Sequence, residues 1–239
     1  LQRKKMISRP KDLIGCGEGR SACVTLCLIG SGDGTMRPPI AQKAPDPEFF
    51  PQKRSVTAMR VEPTEHPEVL VLVPPIFADS RGSFTETFNV RTFARETGLN
   101  VTFVQDNLSI SEQWVLRGLH YQIEQAQGKL VRAVTGKIFD VAVDIRRGSD
   151  RFGQWVAREL DAQSGRQLWV PAGFAHGFLC IDGPATVTYK TTDYYAPQFE
   201  RTLCWNDAEL NVAWPASRAP RLSDKDAEGN TLATAELFP

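Results

Sequence analysis

The stretch GKLVRAVTGKIFDVAVDI, residues 128–145, decides how the rest of the chain is read. Its two halves, 129–135 and 138–145, are rich in β-branched residues and part at Gly136, so each is expected to be a strand. Outward from this pair the pattern repeats. Short runs of the same kind lie at 69–73, 83–89, 103–109, 154–160, 167–170, 176–181 and 185–192. Pro74-Pro75, Gly148-Ser149, Ser164-Gly165, Pro171 and Asp182-Gly183-Pro184 punctuate the gaps. Many short strands with close turn signals predict an all-β fold, a double-sheet β-barrel of the jelly-roll kind. Helical signals are confined to 91–97, stopped by Gly98, and to 207–211. The polar segment from Trp214 onward is expected to wrap the surface. A small barrel has one interior, and its mouth is where inward polar side chains meet a ligand.

The chain has 239 residues, enough for one domain with a sizeable core or one domain plus an appendage. Its formal net charge is zero, so nothing global points to nucleic acid or an acidic membrane as partner. The charge is uneven. Residues 1–58 hold ten Lys/Arg against five Asp/Glu, and the remainder holds 18 against 23. Composition therefore breaks near residue 58. Residues 1–58 lack sustained periodicity and are expected to be a disordered extension, or one the native protein does not need, with the folded domain at 59–239. Gly30-Ser31-Gly32-Asp33-Gly34 follows an apolar run but lacks the full dinucleotide fingerprint, and it is read as a flexible loop. The apolar stretch from Ala22 to Gly30 is short and no clear small-residue cleavage site follows it. No apolar run approaches a membrane span, and the protein is read as cytoplasmic. Of five cysteines, Cys16, Cys23 and Cys27 lie in this leader. An odd number so placed is no disulfide framework, and Cys180 and Cys204 are read as plain buried thiols.

Three histidines exist in the chain, so each can be weighed. His66, in the polar TEHPE, is expected to be exposed and without a role. His120, in LRGLHYQ, and His176, in PAGFAHGF, sit among apolar and Gly residues, where an imidazole is costly unless it is used or satisfied. Gly165, five residues, then Pro171-x-Gly173-x-x-His176 matches the second motif of cupin barrels. The first cupin motif would supply HxH and a Glu, but the matching place reads His120-Tyr121-Gln122. Two separated histidines without an acidic ligand make a poor metal shell. A lone base suits abstraction of a carbon-bound proton instead, with histidine as base and a cation for the developing enolate. Lys129 opens the next strand and is the candidate cation; otherwise it is an ordinary exposed strand lysine.

Further motifs stand in order: Asp79-Ser80-Arg81-Gly82, Phe103-Val104-Gln105-Asp106-Asn107, Leu116 to Gln122, Gly128 to Val131, Asp140 to Arg146, Arg166 to Pro171, Gly173 to Phe178, Tyr189-Lys190, Tyr194 to Pro197, Trp205-Asn206-Asp207 and Leu222 to Asp226. From about Met59 to about Ala227 the chain resembles the dTDP-4-dehydrorhamnose 3,5-epimerase family; residues 1–58 have no counterpart. The resemblance implies a cupin-like barrel with short peripheral helices, no cofactor, a dTDP-sugar substrate and a homodimer. It implies His120 as base, Asp226 as its orienter, Tyr189 as the acid on the opposite face and Lys129 as the enolate's partner. Without it, Asp226 would be read as part of a solvated charge run. Arg81, Glu86, Gln105, Asn107 and Arg117 would bind the nucleotide and phosphates, as forked Arg donors suit. His176 and Tyr195 would line the sugar pocket. Because the family shares strands across its dimer, Arg81 and Glu86 would serve the partner's site. Asp144 is read as structural.

The implied reaction is epimerisation at C3 and C5 of dTDP-4-dehydro-6-deoxy-D-glucose. Its rivals are a single-centre epimerase, a 3,4-ketoisomerase, a metal-free cupin that only binds sugar nucleotide, and a metal-dependent cupin oxygenase.

Overall fold

In a computed structural model the structure describes residues 58–239; the leader's glycine loop and its three cysteines lie outside the described residues. Eleven strands run β1 (Arg60–Pro63), β2 (Leu70–Val73), β3 (Phe77–Asp79), β4 (Gly82–Phe84), β5 (Gln105–Ser111), β6 (Leu116–Gln122), β7 (Lys129–Asp144), β8 (Trp155–Asp161), β9 (Gln167–Val170), β10 (Phe174–Thr191) and β11 (Glu200–Thr202). Helix α1 (Val90–Thr97) follows β4, and α2 (Asp224–Ala227) lies near the C-terminus.

The expected strand pairs 129–135/138–145 and 176–181/185–192 are in fact two long strands, β7 and β10. A glycine marks either a reversal or a bulge, and here the ladder continues through it. Gly136 takes φ 68°, and a Cβ there would stand 2.5 Å from the carbonyl oxygen of Asp182 on β10. Past this point the β7–β10 register shifts. The shift exchanges the faces of both strands. Val131, Ala133, Val187 and Ala185 point into the core on one side of the bend, and Ile138, Ala142, Phe178 and Phe174 on the other.

The β7–β10 ribbon is thus shared by two sheets. Its first half of β7 joins β9, β2 and β1, while the matching end of β10 pairs with β5. Its second half joins β8, and the other end of β10 pairs with β6 and then β11. One cluster of buried side chains draws on both sheets: Val69, Val71, Leu168 and Val170 from the first, Val156 and Leu160 from the second. The two sheets therefore face one another, as the double-sheet cupin-like barrel predicts.

Both outer faces are partly covered. Asn89 Oδ1 caps α1 by accepting from the amides of Arg91 and Thr92, and Gly98 ends the helix at φ 73°. Phe93 of α1 packs on Leu72, Leu130 and Trp169 behind the first sheet. Behind the second, Val141, Val143 and Ile145 meet Leu203, Leu210, Leu232 and Ala235. That double burial explains why 138–145 reads as an almost continuous apolar run.

Four readings are corrected. Strand β6 was not expected, because Arg117, His120 and Gln122 interrupt its apolar pattern. Residues 85–89 lead irregularly into α1 rather than extending β4. Residues 207–211 form a single turn, closed by Asn211 N–H donating to Asp207 O, not a helix. His66 is 2% exposed; its Nδ1 accepts from the Glu68 amide and its Nε2 bonds Asp144. Cys180 is buried and Cys204 half-buried, both as free thiols. Among the described residues no helix is long and apolar enough to cross a membrane.

Candidate active site

A cavity of about 350 Å³ opens between the two sheets. His120 on β6 stands in register with His176 on β10, both on the second sheet. Tyr189, on the far end of β10, is in register with Asn107 on β5, and Lys129 opens β7 on the same first sheet. All five line the cavity with Gln105, Ser109, Arg117 and Tyr195. The bend in the ribbon is what lets β10 contribute His176 to one wall and Tyr189 to the other. Beside the histidines the backbones of β6 and β10 press together: a Cβ on Gly118 would lie 2.6 Å from Gly177 Cα. Only glycine permits that approach.

His120 Nε2 bonds Asp226 Oδ1 at 2.5 Å. Asp226 is 4% exposed; its Oδ1 also accepts from the Gly118 amide and its Oδ2 from Ser223 Oγ. Burial alone would raise its pKa, but the bonds from His120 and Ser223 outweigh burial and hold the carboxyl below the usual range. An ionised carboxylate only accepts, so Nε2 carries the proton and Nδ1 keeps the basic lone pair. No bond from Nδ1 to another described residue exists. Burial lowers the His120 pKa below its ordinary value of 6.5, with Asp226 pulling partly back, so the imidazole is neutral at neutral pH.

His176 Nε2 bonds Asp140 Oδ1 at 2.8 Å, and Asp140 is fully buried. Lys129 is also buried, its Nζ donating to the His120 carbonyl. Burial brings the Lys129 pKa down to about 8, against the pull of Asp140 and Glu200. Burial pushes the Tyr189 phenol up, keeping its proton at neutral pH. Gln105 Nε2 donates to Asn107 Oδ1, and Arg117 Nε to Ser111 Oγ. At the rim, Tyr195 Oη and Lys225 Nζ both donate to Glu200.

Two residues singled out in the sequence do not join this cavity. Arg81 sits at the tip of the β3–β4 hairpin, its side chain 88% exposed and paired with Asp79. Glu86 accepts from Asn89 at the start of α1. Asp144, instead, fixes Arg146, Ser149 and His66 at the end of β7, a structural cluster. Residues the sequence reading passed over are Asp140, Glu200 and Lys225. Asp140 had a signal: a carboxylate inside an apolar strand must be paired. Among the described residues no three His, Cys, Asp or Glu side chains converge as a metal shell would.

An oriented imidazole on one wall, a protonated phenol on the other and a buried ammonium beside the imidazole suit a cupin-like barrel enzyme that moves protons, an isomerase. Comparisons with known proteins narrow the class. The dTDP-4-dehydrorhamnose 3,5-epimerase profile matches residues 63–234, and the chain belongs to that family. It is 56% identical over 173 residues to the dTDP-4-dehydrorhamnose 3,5-epimerase of Pseudomonas aeruginosa, covering 72% of this chain and 96% of that one. Among solved structures it resembles the dTDP-6-deoxy-D-glucose-3,5-epimerase of Legionella pneumophila in complex with dTDP-4-keto-L-rhamnose, with a TM-score of 0.73 and 44% identity over 74% of this chain and 95% of that one. It also resembles ChmJ, a 3'-monoepimerase from Streptomyces bikiniensis in complex with dTDP-quinovose, with a TM-score of 0.69 and 34% identity over 72% and 88%.

Proposed function

We propose that the enzyme inverts C3 and C5 of dTDP-4-dehydro-6-deoxy-D-glucose to give dTDP-4-dehydro-L-rhamnose, a step of dTDP-L-rhamnose biosynthesis. The observation that carries this is the pairing of the His120–Asp226 dyad on one sheet with Tyr189 on the facing sheet. The C4 ketone acidifies the protons on C3 and C5. His120 Nδ1 takes one, and the imidazolium that forms is stabilised by Asp226. The electron pair moves to the ketone oxygen, where the Lys129 ammonium meets the enolate charge. Tyr189 returns a proton from the opposite face, which inverts the centre. His120 then releases its proton to solvent and Tyr189 regains one, and a second round acts on the other carbon.

Gln105, Asn107 and Arg117 would bind the nucleotide and its phosphates, with His176 and Tyr195 against the sugar. A homodimer is part of this proposal. Phe77 and Phe84 on the hairpin, and Leu108 and Ile110 on the outer face of β5, are exposed apolar side chains that a second copy would cover. Arg81 and Glu86 would then reach the partner's cavity. The proposal includes a cytoplasmic location, where nucleotide sugars are made.

The test is incubation with the substrate in D2O, following deuterium at C3 and C5 by NMR beside His120→Ala. Exchange at both carbons, lost in the variant, is expected. Exchange at one carbon makes the protein a single-centre epimerase, the reading that the likeness to the 3'-monoepimerase favours. No exchange with substrate bound would overturn the catalytic reading.

A further inference from the structure

Asp226 reaches His120 from α2, a helix of a single turn, Asp224–Ala227. So short a helix does not hold itself together. The chain is tied down on both sides instead. Before α2, the Arg221 amide donates to Trp114 O, and Arg221 O accepts from the Leu116 amide at the start of β6. After it, the Asn230 amide donates to Thr202 O, and Asn230 O accepts from the Cys204 amide just past β11. Between these anchors the turn is set by its N-cap, Ser223, whose Oγ accepts from the Asp226 amide.

A cap needs only an acceptor. The Ser223 hydroxyl also carries a proton, and that proton goes to the carboxylate of the same residue: Oγ donates to Asp226 Oδ2 at 2.7 Å. The two carboxylate oxygens are thus divided. Oδ1 takes His120 Nε2 and the Gly118 amide, while Oδ2 takes Ser223 alone among the described residues. A hydroxyl bonded to an ionised carboxylate stabilises its charge and weakens its pull on any further proton. That pull matters here, because a carboxylate that stabilises imidazolium too well leaves no free base. Other groups also stand about the imidazole. They are Lys225 of α2, Lys129 of β7, Glu200 of β11, and His176 and Tyr189 of β10. Among the described residues none of these bonds Asp226, so Ser223 is the side chain placed to act on the carboxylate itself.

We propose that Ser223 is a positioning residue that acts through Asp226: its hydroxyl takes up part of the carboxylate's charge, so that Asp226 aims His120 without holding a proton on it. The proposal rests on the epimerase reading, in which His120 starts each round as a free base. Ser223 does not line the cavity and touches no reacting carbon.

The experiment compares Ser223→Ala, Ser223→Gly and Ser223→Thr with wild type. Gly caps a helix nearly as well as Ser and Ala does not; neither has a hydroxyl, and Thr keeps both functions. kcat/KM is followed against pH. The His120 imidazole is titrated by NMR in the ligand-free protein, its signal being the one of three that His120→Ala removes. In the Ala and Gly variants the acid limb and the imidazole titration should both move to higher pH, opposite to Asp226→Asn. Below the limb kcat/KM should fall about fivefold, the order of one net hydrogen bond. Above it kcat/KM should stay within twofold, and Thr should match wild type throughout. Tm should fall more for Ala than for Gly, which separates the cap from the hydroxyl. An unmoved titration in Ala and Gly would leave Ser223 a cap only and overturn the proposal, as would a Thr variant that behaves like Ala. A move to lower pH would mean that the carboxylate had left His120, and overturns it too. No turnover by wild type with substrate bound would overturn the epimerase reading, while the upward imidazole shift in that same protein would still uphold the hold of Ser223 on the dyad.

Discussion

His66 and His120 each bond an aspartate through Nε2, yet the two pairs occupy different kinds of place. His66 has both ring nitrogens engaged, by Asp144 and by the Glu68 amide, and its side chain is 3% exposed. Its carboxylate is crowded further by Arg146 and Ser149. His120 has one nitrogen on Asp226, and its side chain is 25% exposed, toward the cavity. An imidazole–carboxylate pair is therefore a clasp when both nitrogens are spoken for, and is left able to act as the base proposed for His120 when one lone pair faces the cavity.

The sharpest way to break this comparison is substitution of each histidine by alanine. His120→Ala should lower kcat about 10³-fold, as expected for loss of a general base, with little change in Tm; deuterium wash-in reads it directly. Lys129→Met should come next, with kcat down about 10²-fold from loss of the charge that meets the enolate. The same change should raise the Tm of the free protein near neutral pH. Lys129 has its folded pKa depressed to about 8, below an ordinary lysine. Folding thus opposes its charged form, and the penalty is full below about pH 8 and fades as pH rises toward the unfolded value. A Tm for Lys129→Met below wild type at pH 7 would contradict that burial.

Asp226→Asn sharpens the comparison from the carboxylate side. It should lower kcat about 10- to 100-fold, as loss of an orienting partner does. It should also move the acid limb of the rate profile to lower pH, since Asp226 is what raises the His120 pKa against burial. For wild type, kcat/KM should climb with pH through a value below 6.5, as His120 loses its proton, and decline near pH 8 as Lys129 loses its own. The smallest effect on turnover belongs to His66→Ala: kcat within about twofold, but stability reduced by about 1–3 kcal/mol, because a buried bond to Asp144 is left unmade. Denaturant unfolding measures it, and a large loss of kcat at unchanged stability would erase the distinction between clasp and base.

These contrasts also mark what was legible in the residues. Most strands and the all-β class follow from local alternation, but the polar inward face of β5 does not, because alternation alone would bury Leu108 and Ile110, which are exposed. His120 and His176 stood out through their apolar setting, Lys129 as a cation opening the next strand, and Tyr189 through motif resemblance alone. His66 misled because its surroundings in the chain, TEHPE, are polar, while its surroundings in space are Phe174 and Asp144. Gly136 and Gly183 were read as turns, because a glycine in a β-pattern looks alike at a reversal and at a bulge.

By itself the sequence determined most of the strand segments, which side chains alternate together and which residue types for proton transfer are available. Only the tertiary structure decided their partners. His120 and Asp226 meet across 106 positions of chain, and His176 meets Asp140 across 36. The physical reason is that alternation is a short-range property of the backbone with a period of two residues. Which strand lies beside which, and where a bend exchanges one face for the other, depends on long-range packing that the period cannot encode.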